Sequence, residues 1–177
     1  LQILLHSSKT MRASVQDPSQ YTRPQLQSEA NELMSYLQGL DADQLTKSMH
    51  ISAKKATETA ELLQRWSDDS AQTLPSVDAF LGDIYSGLQV QKFTDEDRLY
   101  ADAHLLILSG LYGGLRALDS IAPYRLEMGY RLPDEPYRNL YTFWGDKIAA
   151  LLPETTSLVV NLSAVEYTKA VLPYVEF

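Results

Sequence analysis

The first stretch that could do chemistry is His6-Ser-Ser-Lys-Thr10, a polar loop directly after the apolar run Leu1-Gln-Ile-Leu-Leu5. There the cationic head of Lys9 and the hydroxyl of Thr10 could hold a phosphate or a carboxylate, and a strand that ends in a polar loop is a common place for a site. The residues alone favour a plain solvated loop. Arg116, Arg125 and Arg131, with Tyr124 and Glu127, make a second group. Planar guanidinium groups can clamp an anion bidentately while tyrosines supply stacking faces; Arg125 and Glu127 could equally be a structural ion pair. In a third group, Asp83 and Tyr85 stand between Gly82 and Gly87, and Asn161, Ser163, Glu166, Tyr167 and Lys169 follow an apolar run. If these share one cleft, a small anionic substrate could lie between Lys9, Arg125 and the 161–169 segment. Asp83, Tyr85 or Glu127 would then be available for proton transfer.

The run Ser109-Gly-Leu-Tyr-Gly-Gly114 also has two readings. Its Gly110 and Gly113, with Ser109 and Tyr112, could form the hairpin of a helix–hairpin–helix, letting backbone N–H groups approach a DNA phosphate. It could instead be a tight turn packed in the core, which the residues alone favour. The spacing is neither a phosphate-binding Walker loop nor a dinucleotide fingerprint. His6, His50 and His104 lack metal-ligand spacing, and cysteine is absent. That excludes disulfides, thiolate zinc sites, iron–sulfur clusters and a cysteine nucleophile. No metal and no cofactor is expected, and ferritin-like iron storage would need paired Glu-x-x-His motifs that the chain lacks.

The elements that must position these residues follow from periodicity and caps. Residues 1–5 read as a buried strand, and Ala13 to Arg23 as irregular chain. Leu26, Ala30, Leu33, Met34 and Leu37 recur at helical spacing up to Gly39. Asp41 and Ser52 are N-caps for two further helices. Thr94-Asp-Glu-Asp97 resembles a capping box, opening a helix expected to reach Leu106 or Ile107. Leu105–Leu115 can be strand or helix, and 116–132 reads as loop or short strands. A helix is expected from Asn139 or Leu140 to Leu151. Ser157-Leu-Val-Val-Asn-Leu162 reads as a buried strand and Ala164–Val171 as a helix. Strands alternating with unequal groups of helices indicate an α+β fold, a mixed sheet flanked by helices.

The 177 residues, 45% hydrophobic and 21% charged, suit one domain spanning 1–177 with an ordinary core. A formal net charge of −8 opposes long-range attraction to nucleic acid or anionic membrane, so any nucleic-acid contact must be local. The apolar start is too short for a signal-peptide core or a membrane span, which favours a cytoplasmic place without a membrane partner.

Leu108-Ser-Gly-Leu-Tyr-Gly-Gly-Leu-Arg-Ala-Leu-Asp119, continuing through Pro123-Tyr-Arg-Leu-Glu-Met-Gly-Tyr-Arg-Leu132, resembles the signature of the YaaA family of bacterial peroxide stress proteins. Four more segments match in order: Leu5–Met11, Phe80–Leu88, Leu140–Trp144 and Val160–Val171. The family's usual Ser-Pro-Ala-Lys-Thr stands here as His6-Ser-Ser-Lys-Thr10, and its Arg-Pro-Leu-Asp as Arg116-Ala-Leu-Asp119. The resemblance implies a cytoplasmic protein that limits iron-dependent oxidative damage. It also implies a surface for double-stranded DNA of low sequence specificity, including a helix–hairpin–helix-like element; no reaction is securely assigned to the family. Lys9, Thr10, Ser109, Gly110, Tyr112, Gly113, Arg116, Tyr124, Arg125 and Arg131 are the anion- or DNA-binding candidates under this reading. Family members typically continue past the equivalent of Phe177 with further strands and a basic segment. The expectation is therefore a fold truncated at its C-terminus, with Tyr174, Val175 and Phe177 starting a further strand. An open sheet edge there would be left unpaired or would self-associate.

Overall fold

The computed structural model describes residues 1–12, 21–68 and 73–175. In chain order the elements are β1 (Gln2–His6), α1 (Gln27–Gln38), α2 (Ala42–Met49), α3 (Ala53–Gln64), β2 (Leu74–Pro75), α4 (Ser76–Ala79) and α5 (Asp83–Leu88). They continue with α6 (Asp95–His104), β3 (Leu105–Ser109), β4 (Gly113–Leu115), β5 (Ser120–Ile121), α7 (Leu140–Trp144), β6 (Val159–Asn161) and α8 (Val165–Thr168). The main sheet runs β4-β3-β1-β6, and β2 and β5 form a separate antiparallel ribbon. β1 is parallel to both β3 and β6, whereas β4 folds back antiparallel on β3. This is a mixed α+β arrangement.

Local chemistry explains most boundaries. Asp41 and Thr94 close capping boxes with Gln44 and Asp97, and the Ser52 hydroxyl accepts the Lys55 N–H, satisfying amides that a helix start leaves unpaired. Along α1, Ala30, Leu33, Met34 and Leu37 fall on one face and are buried in the same core as Leu4, Ile107, Tyr112 and Trp144.

Tertiary pairing moved other boundaries. The helix opened at Thr94 stops at His104, short of Leu106, because Leu105 is drawn into the β1 ladder opposite Ile3. Residues 105–109 are a fully buried strand and 113–115 another, so the ambiguous run is a β-hairpin. The helix from Leu140 ends at Trp144, with Gly145 at φ +52°, and a separate 3-10 turn covers Ala149–Leu151. The strand expected to be buried around Val159 is instead the sheet's edge, with Leu158, Val160 and Leu162 exposed at 56%, 37% and 59%. The final helix contracts to α8, and Tyr174 lies in a 3-10 turn, not in a further strand. The expected irregular stretch falls largely on residues 13–20, and Phe177 likewise lies outside the described residues. Among the described residues no helix is long and apolar enough to cross a membrane.

Candidate functional site

Because β1, β3 and β6 are mutually parallel, their carboxyl ends share one edge of the sheet, where ligand crevices of open α/β sheets form. The chain leaves β1 at His6, and the ladder extends one residue further: the Ser7 N–H donates to the Leu108 carbonyl at 2.8 Å and buries Ser7. Lys9 and Thr10 then emerge on an exposed turn, with the Thr10 N–H donating to Ser8 Oγ. The Tyr85 hydroxyl, carried by α5, donates to the His6 carbonyl at 2.9 Å and ties α5 to the end of β1. The Leu81 N–H donates to the Thr10 carbonyl at 3.0 Å and closes the same corner.

Between these elements lies a polar cleft of about 350 Å³. His6, Ser7, Ser8 and Lys9 line one side of it, and residues 81–85 line another. Glu127, from the loop after β5, and Glu166, from α8, complete it. Glu127 is 8% exposed. Burial pushes its carboxyl above the ordinary glutamate range, opposed by the Lys9 ammonium and by hydrogen bonding from Tyr167, while the charge of Glu166 raises it further. Burial holds the His6 imidazole below its usual value, with Glu166 pulling the other way. The His6 ring stacks on Tyr167 at 5.1 Å between centroids, and its Nδ1 accepts the Ala164 N–H at 3.1 Å.

Behind the cleft runs a buried line of hydroxyl groups. The Tyr112 N–H donates to Ser109 Oγ, Ser109 Oγ and the Tyr124 hydroxyl are 2.6 Å apart, and Ser7 Oγ donates to the Tyr167 hydroxyl at 3.2 Å. Tyr124 is within hydrogen-bonding reach of Ser7, and Tyr167 of Glu127. Burial pushes both phenols well up, so each stays a neutral donor. A second groove of about 380 Å³ shares Lys9 with the first; Thr10, Lys55, Glu58, Thr59 and Arg125 line it. Among the described residues the buried Nε of Arg125 has no hydrogen-bond partner.

The sequence candidates therefore separate. Lys9, Asp83, Tyr85 and Glu127 converge on the cleft with Tyr167 directly behind, while Lys9, Thr10, Tyr124 and Arg125 meet in the groove. Asn161 and Ser163 instead cap the turn into α8: Asn161 Oδ1 accepts from the Ser163 N–H and hydroxyl, and Asn161 Nδ2 donates to Thr168. Lys169 and Arg131 are exposed and line neither. Arg116 is engaged with Asp119 at 3.0 Å, and its peptide N–H donates to the same carboxylate.

The helix–hairpin–helix reading of Ser109–Gly114 does not hold, because strands flank the turn and every residue in it is buried. Gly110 is there for a close approach of main chain: a Cβ at that position would lie 2.4 Å from the Leu126 carbonyl oxygen. Gly113 has φ +69° and would meet Trp144. The Trp144 indole donates to the Gly110 carbonyl, and the Tyr112 hydroxyl accepts from Trp66 and from the Ala122 N–H. The core-turn alternative is the one realised, and contact of this turn with a DNA backbone would require unpacking it. Sequence reasoning did not single out Ser7, Ser8 or Lys55. Ser7 and Ser8 adjoin Lys9 in the motif; for Lys55, a charged residue on a polar helix face, no sequence signal existed.

Fold and site together define an α+β protein with a polar cleft at the carboxyl edge of a mixed sheet. The chain belongs to the peroxide stress protein YaaA family, whose sequence model matches residues 1–176. It is similar to a UPF0246 protein of Salinispora tropica, 49% identical over 169 residues, covering 96% of this chain and 64% of that protein. A UPF0246 protein of Saccharophagus degradans is 43% identical over 159 residues, covering 86% of this chain and 62% of its own length. The chain thus spans less than two thirds of the length of these relatives.

Proposed function

We propose that this chain carries the working cleft of a cytoplasmic protein of the peroxide response, and that the cleft acts on a small anionic substrate. The observation that carries this reading is the convergence of Lys9, Asp83, Tyr85 and Glu127 in one concave site, with the Glu127 carboxyl displaced by its surroundings. A pocket that gathers one ammonium and three carboxyl groups, one of them buried with its pKa raised, has the parts for binding an anion and moving protons. Backbone contact with DNA needs none of the buried acid. The test uses bacteria that lack the full-length natural protein, complemented with variants and challenged with hydrogen peroxide. Lys9→Met and Glu127→Gln should fail to restore survival while accumulating to wild-type levels; full protection by both refutes the cleft reading.

A second reading, that the protein binds double-stranded DNA with low sequence specificity and limits iron-dependent damage there, is favoured by the groove in which Lys9, Lys55 and Arg125 meet. Three cations along one groove could follow a phosphate backbone locally despite the acidic remainder. Among the described residues no group of three or more His, Asp or Glu side chains is placed to hold a metal ion. Fluorescence anisotropy with a short duplex should show affinity that falls with salt and falls again in Lys55→Ala and Arg125→Ala. Binding indifferent to salt and to both substitutions removes this reading.

A further inference from the structure

We infer that the cleft takes an oxyanion group, phosphate or carboxylate, between the Lys9 ammonium and a protonated Glu127, so that binding is coupled to uptake of one proton. This rests on the reading of the cleft as an anion site and adds what that site demands of its ligand and of pH.

The lining holds one ammonium, Lys9, and three carboxyl groups, Asp83, Glu127 and Glu166. With all of them ionised the cleft carries a net −2 and repels the anion that Lys9 would attract. Asp83 is exposed and Glu166 half-buried, so both keep their hydration, whereas Glu127 is buried. Glu127 is therefore the carboxyl that neutralises at least cost. Once protonated it changes from acceptor to donor and can give its O–H to an oxygen of the ligand while Lys9 supplies the charge.

The groups facing Glu127 agree with that role. From the segment after β1 it meets Lys9, with His6 in the same cleft; from α5 come Asp83 and Tyr85; from α8, Glu166 and Tyr167. On its own loop Arg125, Tyr124 and Tyr130 act on it or feel its charge. The buried hydroxyls can donate in one direction, from the Tyr112 N–H through Ser109, Tyr124 and Ser7 to Tyr167 and on to Glu127. Tyr167 can thereby hold one carboxylate oxygen, which leaves the other for the proton and the ligand. Glu166 is held close as well: a Cβ on Gly129 would lie 2.6 Å from Glu166 Oε2.

Sulfate and acetate are suitable probes because neither titrates between pH 6 and about 9, and they stand for the phosphate-like and carboxylate sources respectively. Isothermal calorimetry on this chain should show binding of one probe or both. Its affinity should fall toward tenfold per pH unit once Glu127 ionises, and two buffers of different ionisation enthalpy should report uptake of up to one proton per anion. Glu127→Gln should still bind the anion but lose the pH dependence, and Lys9→Met, altered at an exposed position, should lose binding at least tenfold. Absence of binding by both anions overturns the anion site itself, together with the proposed substrate class. Binding with no proton uptake, or pH dependence that survives Glu127→Gln and so belongs to His6, overturns this inference and leaves that site standing. If Glu127→Gln fails to fold, His6→Asn decides in its place: proton uptake that persists in it supports Glu127, and uptake that vanishes belongs to His6 and overturns the inference.

Discussion

Replacing Gly110 by alanine tests how the glycine-rich hairpin supports the cleft. The added Cβ would sit 2.4 Å from the Leu126 carbonyl oxygen and 3.0 Å from the carbonyl carbons of Leu126 and Glu127, against an ordinary contact of 3.4 Å or more. The two main chains must part by about 1 Å, and neither has a side-chain tip that can swing away. Overpacking of this kind costs roughly 1–3 kcal/mol, and a backbone partner places the cost in the upper half of that range. At about 2–4 °C per kcal/mol for a chain of this size, the melting temperature should fall by roughly 4–12 °C. Thermal unfolding followed by circular dichroism measures it, with Gly87→Ala alongside. Nothing lies within 4 Å of a Cβ at Gly87, inside α5, so that change should be neutral or stabilise by up to about 1 kcal/mol. A Gly110→Ala protein that melts within 2 °C of wild type would show that the hairpin and the Glu127 loop are not packed as described.

Burial raises the folded-state pKa of Glu127, so its contribution to stability is fully present below the unfolded value near 4.5 and is lost as pH rises through the folded value. Glu127→Gln should therefore gain stability over wild type as pH increases from about 4.5 to 8, by about 1.4 kcal/mol for each unit separating folded and unfolded pKa. Urea midpoints across that range check it, and parallel curves for the two proteins would contradict it. Asp119 is buried and accepts from the Thr22 hydroxyl, the Arg116 N–H and the Arg116 guanidinium. Asp119→Ala strands these donors and should cost about 3 kcal/mol or more, seen as a lowered urea midpoint. At the sheet edge, Leu158, Val160 and Leu162 alternate with Val159 and Asn161 and present an exposed apolar row. Light scattering should show this chain self-associating, and Val160→Lys should reduce that; a monodisperse monomer at high concentration would argue that this edge is inert.

The helix starts were legible in the sequence because caps are local: Asp41, Ser52 and Thr94 each reach an amide three residues on. The α1 stripe was legible for a similar reason, since helical spacing alone brings Ala30, Leu33, Met34 and Leu37 to one face. Lys9, Asp83, Tyr85 and Glu127 were legible as chemistry-bearing types in polar, motif-dense loops. That they share a cleft was not, because their meeting depends on β1 lying between β3 and β6, and strand order is a long-range choice that no local spacing encodes. The same distance effect decided the Ser109–Gly114 run: its glycines suited a DNA-facing hairpin equally well. Only the Leu126–Glu127 main chain lying against Gly110, and Trp144 against Gly113, turned that run into core. It also decided which of two like carboxyl groups is buried, since Glu127 and Glu166 are the same residue type and differ in how much water each keeps, a property of the folded packing alone.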